Sequence, residues 1–181
     1  MSFTELDIAY MARAIELAKQ GRFTTTPNPN VGCVLVKDGE IVGEGFHQLA
    51  GQGHAEVNAL AVAGDNAKGA TAYVTLEPCS HYGRTPPCAE GLKAAGVSKV
   101  IAAMVDPNPA VSGRGLQILA DAGIEVASGL LEQQARDLNK GFLKRMETGL
   151  PYVTCKMACS LDGKTALNNG QSKWITGPKA R

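Results

Sequence analysis

The fold is decided by residues 72–95, which read AYVTLEPCSHYGRTPPCAEGLKAA. Residues 72–76 have the short apolar pattern of a buried strand, and residues from about 88 to 95 favour a helix. A strand, a polar loop and a helix in this order are typical of one crossover in a parallel α/β sheet. The crossover carries Cys79 directly after the strand, where open α/β sheets usually place their sites, and Cys88 at the start of the helix.

Segments on both sides of this crossover continue the α/β pattern. Two strand-like runs, at 31–36 and 41–46, flank Asp38-Gly39, which is a strong hairpin signal, so the sheet is expected to begin antiparallel. After residue 50 strands alternate with helices, which predicts parallel pairing with right-handed crossovers. The sequence therefore predicts an α/β fold with a mixed sheet of about five strands and helices on both faces. Ser2 with Glu5 resembles a capping box for the first helix. Helices are expected at about 4–20, 54–63, 88–95, 115–122 and 131–146, and further strands at 72–76, 99–105 and 124–127.

The organisation changes at Thr148-Gly149-Leu150-Pro151. A strand is expected from about 152 to 157, but it has no partner elements of its own. The chain ends just after Thr176-Gly177-Pro178, which has the pattern of a helix start. We therefore expect one domain at residues 1–148 and, at 149–181, the opening of a second domain that has been cut off.

The composition fits one domain and a remnant. Of the 181 residues, 44% are hydrophobic and 19% are charged, and the net charge of +1 gives no global field that would attract nucleic acid or an anionic membrane. No apolar run approaches the roughly 20 residues of a membrane span. The start lacks a signal-peptide pattern and the five cysteines are an odd number, which indicates a reducing cytosol. We expect a cytoplasmic homo-oligomer with no nucleic-acid or membrane partner.

Three residues have the properties of catalytic zinc ligands. His54, Cys79 and Cys88 offer soft donor atoms, and a catalytic zinc keeps three protein ligands and leaves its fourth position for water, whereas a structural zinc is closed by four. Cys88 begins a predicted helix, where the positive end of the helix dipole favours the thiolate that zinc requires. One zinc ion per chain is expected.

Glu56 is an acid that the metal does not need. It follows His54 by two positions, which is about 200° around a helix, so the two side chains cannot share one helical face and the metal must lie beyond the helix end. Zinc at the three ligands would lower the pKa of its water to about 7. Glu56 can then take the proton and return it to a ring nitrogen and to a leaving amine. Zinc nucleobase deaminases have this pattern, which is His-x-Glu followed by Pro-Cys and a second cysteine.

Other interpretations of these residues stay open. A histidine in a first helical turn is often only a cap, and free cysteines are often buried in the core, which is our expectation for Cys33, Cys155 and Cys159. One alternative function is a zinc-stabilised binding module in which Glu56 only caps a helix. Another is a deaminase of nucleosides, free bases or transfer RNA, although a net charge of +1 gives no hint of a basic face for RNA.

The spacing of the two cysteines separates this chain from the usual nucleobase deaminase, in which two residues intervene, because eight residues lie between Cys79 and Cys88. The segment EPCSHYGRTPPC, residues 77–88, resembles the deaminase domain of the bacterial bifunctional riboflavin-biosynthesis deaminase/reductase. The resemblance covers essentially the whole chain, and two motifs near the end look like the start of that family's reductase domain. The further motifs are Pro27-Asn28-Pro29, His54-Ala55-Glu56, Asp106-Pro107-Asn108-Pro109, Gly113-Arg114-Gly115, Asn139-Lys140-Gly141-Phe142, Ser160-Leu161-Asp162-Gly163 and Lys173-Trp174-Ile175-Thr176.

This resemblance implies a three-layer αβα cytidine-deaminase-like fold. It also implies a small-molecule partner, because the family hydrolyses 2,5-diamino-6-(5-phosphoribosylamino)pyrimidin-4-one to 5-amino-6-(5-phosphoribosylamino)uracil and ammonia. It places Asn28 and His47 against the base or ribose, and the loop between the cysteines offers His81 and Arg84 to the phosphate. As an alternative, His81 is a fourth zinc ligand, which would close the site. Glu77 either positions the pyrimidine or has a structural role.

The resemblance also concerns the C-terminal segment. The family's reductase domain resembles dihydrofolate reductase and uses NADPH, and Lys156 and Asp162 match positions in its active region. Because nearly all of that domain is missing, we expect NADPH binding only in the full-length protein and no reductase activity from this chain.

Overall fold

The strands form one mixed sheet in the order β2-β1-β3-β4-β5. The protein is described here from a computed structural model, which describes residues 3–82 and 86–180. β1 pairs antiparallel with both β2 and β3, whereas β3, β4 and β5 run parallel. The strands are β1 (Gly32–Lys37), β2 (Glu40–Phe46), β3 (Thr71–Val74), β4 (Lys99–Ala102) and β5 (Glu125–Ser128).

Helices cover both faces of this sheet. They are α1 (Glu5–Lys19), α2 (Ala55–Ala63), α3 (Cys88–Ala94), α4 (Arg114–Asp121), α5 (Glu132–Leu138) and α6 (Lys140–Thr148), with short 3₁₀ turns at Gly64–Ala67 and Pro178–Ala180. Because successive strand residues point to opposite faces, the sheet contributes to two apolar cores. Cys33 and Leu35 pack with residues of α2, α3 and α4, while Val34 and Val36 pack with residues of α1, α5 and α6. The predicted three-layer αβα fold with about five strands is confirmed.

Glycines let α2 approach the first hairpin closely. A Cβ on Gly43 would lie 2.4 Å from the Ala59 carbonyl oxygen, and a Cβ on Gly45 would lie 2.5 Å from the Ala55 carbonyl oxygen. The predicted hairpin turn is confirmed, since Asp38 and Gly39 both have positive φ, as a two-residue turn of the mirror-image type requires. The first turn of α2 therefore lies beside the carboxyl end of β2.

The predicted helix at 131–146 is wrong as one element. The structure contains α5 and α6, separated at Asn139, whose φ of −119° and ψ of 24° are not helical. The Asn139 side chain bonds to the backbone of Asn30, with its Oδ1 accepting from the Asn30 N–H at 2.7 Å and its Nδ2 donating to the Asn30 carbonyl at 2.9 Å. A continuous amphipathic pattern cannot reveal such a break, because the break is stabilised by a residue distant in sequence.

The cap of α1 also differs from the prediction. Thr4 and Asp7 form the capping box, with the Thr4 hydroxyl accepting from the Asp7 N–H at 3.1 Å and Asp7 accepting from the Thr4 N–H at 2.8 Å. Ser2 lies outside the described residues. The helix thus begins at Glu5, close to the predicted start, but a different pair of residues forms the capping box at its N-terminus.

The chain divides into two compact units, Met1–Pro151 and Tyr152–Arg181. In the described part of the second unit no strand forms at 152–157, so that predicted strand is wrong; a strand needs a hydrogen-bonding partner, and this unit supplies none. Cys155 and Cys159 are exposed rather than buried, because the unit has no buried residue among 152–179. The division at 148/149 into two functional domains stays a prediction. None of the described helices has the length and apolar character to cross a membrane.

Candidate active site

The three predicted metal ligands converge at the edge of the sheet. His54 is the N-cap residue of α2, Cys79 lies in the loop after β3, and Cys88 is the first residue of α3. Their donor atoms all lie within 4.8 Å of one another. His54 Nδ1 lies 3.2 Å from Cys88 Sγ and 3.6 Å from Cys79 Sγ. The His54 side chain makes no capping hydrogen bond, so its imidazole is available as a ligand and the interpretation of it as a cap fails.

Electrostatics in this cluster favours a thiolate. The Cys88 thiol donates to the Cys79 sulfur, which is the largest of the causes that lower the pKa of Cys79, and the backbone N–H of Cys88 donates to the same sulfur at 3.2 Å. The pKa of Cys88 is raised, because two adjacent sulfurs do not both ionise easily without a cation. The hydrogen bond with Cys79 raises the pKa of His54. One imidazole and two sulfurs form a donor set that fits zinc with a fourth position left open.

Glu56 lies beside the cluster but does not belong to it. Its residue is 3% exposed, and burial, the largest cause, raises its pKa to about 7. The metal-binding group contains only His54, Cys79 and Cys88 among the described residues, so the Glu56 carboxyl remains available for proton transfer. A carboxyl whose pKa lies near neutrality can both accept and donate a proton at working pH.

A cavity of about 500 Å³ opens onto these residues. Its lining includes His54, Glu56 and Cys79, together with the predicted substrate contacts Asn28, His47 and His81. This volume lies in the range of small-molecule sites. The structure therefore brings the candidate metal ligands, the spare acid and three of the four predicted substrate contacts to one cavity.

Asn28 and His47 form a connected pair at this cavity. Asn28 Nδ2 lies 3.0 Å from His47 Nε2, and His47 Nδ1 lies 3.1 Å from the Gly53 carbonyl oxygen. The carbonyl can only accept, so Nδ1 carries the proton and Nε2 accepts from the Asn28 amide. Burial is the main cause that lowers the pKa of His47. The imidazole is therefore neutral at pH 7 and fixed in one tautomer.

The loop between the cysteines is described only in part. His81 lines the cavity but is not in the metal-binding group of the described residues, so the structure does not support it as a fourth ligand. Arg84 lies outside the described residues. Recognition of a phosphate by His81 and Arg84 stays a prediction.

Glu77 has a structural role. Its Oε2 accepts from the N–H groups of Asp106 at 3.0 Å and Gly113 at 2.9 Å, and its Oε1 accepts from the N–H of Gly115 at 2.8 Å. A Cβ on Gly115 would lie 1.8 Å from the Pro78 carbonyl oxygen, so the two loops are packed backbone to backbone. The carboxylate therefore holds the 106–115 loop against the loop that carries Cys79, which leaves no oxygen free of a backbone partner.

Several residues that line the cavity were not predicted as site residues from the sequence. Asp106 is 7% exposed, and burial raises its pKa to about 6, while its Oδ1 accepts from the Asn108 N–H at 2.8 Å. Asn108 lines the same cavity. Both residues belong to the family motif Asp106-Pro107-Asn108-Pro109. Arg145 also lines the cavity, but a basic residue near the end of an amphipathic helix gives no signal that separates it from a solvated surface cation.

The loop that carries Asn28 is held from the opposite layer of the fold. Asn139 bonds to both backbone groups of Asn30, as described above, and Asn30 Nδ2 donates to the Leu138 carbonyl at 3.1 Å. The buried Thr25 hydroxyl donates to Asn30 Oδ1 at 2.9 Å. This loop has no regular structure of its own, so the long-range bonds from Asn30 to Leu138 and Asn139 hold it, and with it Asn28, in place.

The predicted reductase residues lie in the C-terminal unit. Lys156 lines a cavity of about 440 Å³ within that unit. Asp162 is not part of that lining, and its Oδ1 accepts from the Ser160 hydroxyl. The structure does not bring the two side chains to one site, and their role toward NADPH stays a prediction.

Comparisons with protein families give two matches. Residues 4–104 match the cytidine and deoxycytidylate deaminase zinc-binding region, which contains all three candidate ligands and Glu56. Residues 151–181 match the RibD C-terminal domain.

Curated relatives match most or all of this chain. The riboflavin biosynthesis protein RibD of Haemophilus influenzae is 67% identical over 181 residues, which are 100% of this chain and 49% of that protein. A diaminohydroxyphosphoribosylamino-pyrimidine deaminase of Buchnera aphidicola is 58% identical over 145 residues, which are 80% of this chain and 99% of that protein. This chain thus spans about half the length of RibD, but nearly all of the shorter deaminase.

A solved structure shows the same fold. RibD of Acinetobacter baumannii superposes with a TM-score of 0.94 at 63% sequence identity, covering 98% of this chain and 50% of that one.

Proposed function

This chain belongs to the cytidine and deoxycytidylate deaminase zinc-binding family, and within it to the riboflavin-biosynthesis deaminases; on that premise we propose that it deaminates 2,5-diamino-6-(5-phosphoribosylamino)pyrimidin-4-one. The resemblance drawn from the motifs is thereby confirmed, and so is the prediction of an enzyme of the zinc deaminase class. In the proposed reaction one water is consumed, the carbon–amine bond breaks, and the products are 5-amino-6-(5-phosphoribosylamino)uracil and ammonia. The observation that carries the proposal is the convergence of His54, Cys79 and Cys88 beside the buried Glu56 at one cavity.

His54, Cys79 and Cys88 would hold one zinc ion per chain. Zinc, when bound, supplies Lewis acidity that lowers the pKa of a water molecule to about 7. The thiolate character of Cys79 and the His54 imidazole, which is not used as a helix cap, suit these residues to hold a divalent cation. The loop after β3 and the starts of two helices contribute these ligands, so the fold itself sets their spacing.

Glu56 moves the protons in the proposed reaction. Its carboxylate takes one proton from the attacking water and gives it to a ring nitrogen. It then carries the second proton of that water, from the new hydroxyl on the ring carbon, to the leaving amine, so ammonia departs as a neutral molecule. Burial supports this role, because the pKa of about 7 keeps both protonation states populated near neutral pH. The surrounding protein also keeps bulk water away from the carboxyl group.

Asn28 and His47 would orient the substrate's base or ribose. The Gly53 carbonyl fixes the neutral tautomer of His47, and His47 in turn fixes the Asn28 amide, so the remaining N–H and the oxygen of that amide are held in a set direction. His81 and Arg84 belong to this proposal as phosphate contacts, on the strength of the family resemblance. The 106–115 loop, held by Glu77, closes another side of the cavity.

Ammonia release from the phosphoribosyl pyrimidine tests the proposal. We expect the zinc-loaded wild-type chain to release one ammonia per substrate consumed, and to prefer this compound over cytidine, deoxycytidylate and transfer RNA. Zinc binding without turnover of any of these compounds would contradict the enzyme proposal in favour of a zinc-stabilised binding module. Faster turnover of one of the other compounds would contradict the proposed substrate but not the proposed deamination chemistry.

Domain organisation, NADPH binding, oligomeric state and cellular location are further parts of the proposal. We propose that residues 1–148 form the deaminase domain and that residues 149–181 belong to the start of a reductase domain, which the family match at 151–181 supports. NADPH is proposed only for a protein that carries this second domain in full. We propose that the protein is a cytoplasmic homo-oligomer. Light scattering in solution would measure its mass.

A further inference from the structure

Arg145 lies at the cavity from a different layer of the fold than the metal ligands. It belongs to the last turns of α6, which packs on the face of the sheet opposite to α2, the helix that begins after His54. Its Nη2 donates to the Pro27 carbonyl at 3.1 Å, and its guanidinium carbon lies 6.0 Å from the centre of the Phe142 ring. The guanidinium is therefore oriented by the loop that carries Asn28 and by its own helix.

Arg145 differs in charge from the other described residues that line the cavity. Among the described lining residues Arg145 is the one lysine or arginine, whereas Glu56, Glu77 and Asp106 are carboxylic acids. A guanidinium keeps its positive charge at every working pH. An anionic group of a ligand would be repelled by the acids, so within the described lining Arg145 offers the one permanent positive charge.

Arg145 also has hydrogen-bond donors to spare. A guanidinium carries five N–H donors in a fixed fork, and the described structure uses one nitrogen, Nη2, for the Pro27 carbonyl. No ion pair joins Arg145 to a carboxylate within residues 3–82 and 86–180. A fork with unused donors matches the oxygen spacing of a phosphate, which it can bind in a bidentate manner.

We propose that Arg145 is a specificity-determining residue that binds the phosphate group of the substrate. The proposal rests on the proposed function, because the substrate of that reaction carries a phosphoribosyl group. Glu56 acts on the ring beside the candidate metal ligands at the start of α2, while Arg145 holds the anionic end from the α6 side. The Pro27 carbonyl aligns the guanidinium, so phosphate binding and the position of the Asn28 loop are linked.

The test compares two substrates in steady-state kinetics, the phosphoribosyl pyrimidine and its phosphate-free ribosyl analogue. We expect Arg145→Ala to raise KM for the phosphorylated compound about 10- to 150-fold, as the loss of a charge-assisted hydrogen bond predicts. KM for the analogue and kcat for both compounds should change less than about threefold, since no charge develops at the phosphate during deamination. Lys144→Ala removes the same charge from the neighbouring position of α6, which does not line the cavity, and should leave KM for both compounds unchanged.

Two conservative variants separate charge from loop support. Arg145→Gln keeps an N–H donor for the Pro27 carbonyl but no charge, and Arg145→Lys keeps the charge. We expect Lys to restore part of the lost affinity for the phosphorylated compound and Gln to restore none. The inference is overturned if Arg145→Ala raises KM equally for both compounds, or if Gln restores affinity and Lys does not. If the wild-type chain turns over neither compound, the proposed function falls and this inference with it; normal wild-type turnover with an unaffected Arg145→Ala variant removes only the inference.

Discussion

The carboxyl group of Glu56 differs from a typical surface carboxyl group in its protonation behaviour. Burial raises the pKa of Glu56 to about 7, and no basic side chain neutralises it by a direct ion pair among the described residues. His54, two positions earlier, faces the sulfurs instead. Two residues only two positions apart thus face different groups, because the start of a helix directs their side chains to different places.

We predict that Glu56→Gln keeps the zinc and loses turnover. The amide has nearly the same shape and cannot carry a proton, so kcat should fall by about 10²- to 10⁴-fold, the usual contribution of a general acid–base. Metal analysis and ammonia release measure the two effects on one sample. Glu90→Gln, which changes an exposed carboxylate on α3, should leave both unchanged. A near-normal rate for Glu56→Gln would exclude Glu56 from proton transfer.

Individual elements of this fold are fixed by contacts at their ends. Asp7 caps α1 and also accepts from the Tyr73 hydroxyl of β3 at 2.7 Å, which ties the helix to the central sheet. Asn139 separates α5 from α6 and holds the backbone of Asn30. In each case one polar side chain completes a local structure and connects it to a distant one.

Asp7→Asn should destabilise the protein in a pH-dependent manner. Burial raises the pKa of Asp7, but hydrogen bonds from Thr4 and Tyr73 outweigh it, so the folded pKa lies below the ordinary aspartate value of 3.8. A lowered folded pKa gives stability that is present above the unfolded pKa and is lost as the pH falls through the folded pKa. We expect the variant to lose about 1 kcal/mol at pH 7 and less than that at pH 2 to 3, as measured by denaturant unfolding.

Glu5→Gln is the control for Asp7→Asn, because it removes a carboxylate from the same first turn and leaves the capping box intact. Its loss should be smaller, limited to the interaction with the helix dipole. Equal losses in the two variants at every pH would assign the effect to the dipole and not to the cap.

Asn139→Ala should weaken both the fold and substrate binding. It leaves the N–H and carbonyl of Asn30 without their partner, which costs about 1–3 kcal/mol for each group that stays buried, and it frees the loop of Asn28. We expect a lower free energy of unfolding and a higher KM with kcat changed less. Asn139→Asp keeps the acceptor for the Asn30 N–H, so it should restore part of the free energy of unfolding and part of the substrate affinity. An unchanged KM would show that the loop keeps its position without this residue.

At the scale of the whole molecule the carboxyl edge of the sheet collects segments that are far apart in the chain. The three candidate ligands come from α2, the loop after β3 and α3, and the cavity adds α6 from the other face. A metal bound to these ligands would link two helices to the sheet, so it should stabilise the fold as well as serve catalysis.

We predict that removing zinc lowers the melting temperature of the protein. A ligand at about 1,000 times its Kd contributes about 4 kcal/mol, which corresponds to roughly 8–16 °C for a chain of this size. Calorimetry with and without a zinc chelator measures the shift. Cys88→Ser should abolish the response to the chelator, whereas Cys33→Ser, at a buried strand position outside the metal-binding group, should retain it. A chelator response that Cys33→Ser loses would mean that a ligand has been misassigned.

The sequence by itself determined the fold class and the chemical inventory. Alternating strands and helices are local patterns, and the hairpin at Asp38-Gly39 requires only its own turn residues. His54, Glu56, Cys79 and Cys88 could be found because the chemistry of a catalytic metal restricts residue types and spacing so strongly.

Tertiary structure alone decided which other residues meet at this site. The helix break at Asn139, the structural role of Glu77 and the place of Arg145 at the cavity all depend on hydrogen bonds between residues at least 29 positions apart. Such bonds leave no periodic signal, because each is formed only once the layers have packed. The sequence therefore specified the candidate catalytic residues. The packing of α6 and of the loop that carries Asn28 decided the shape and charge of the rest of the cavity.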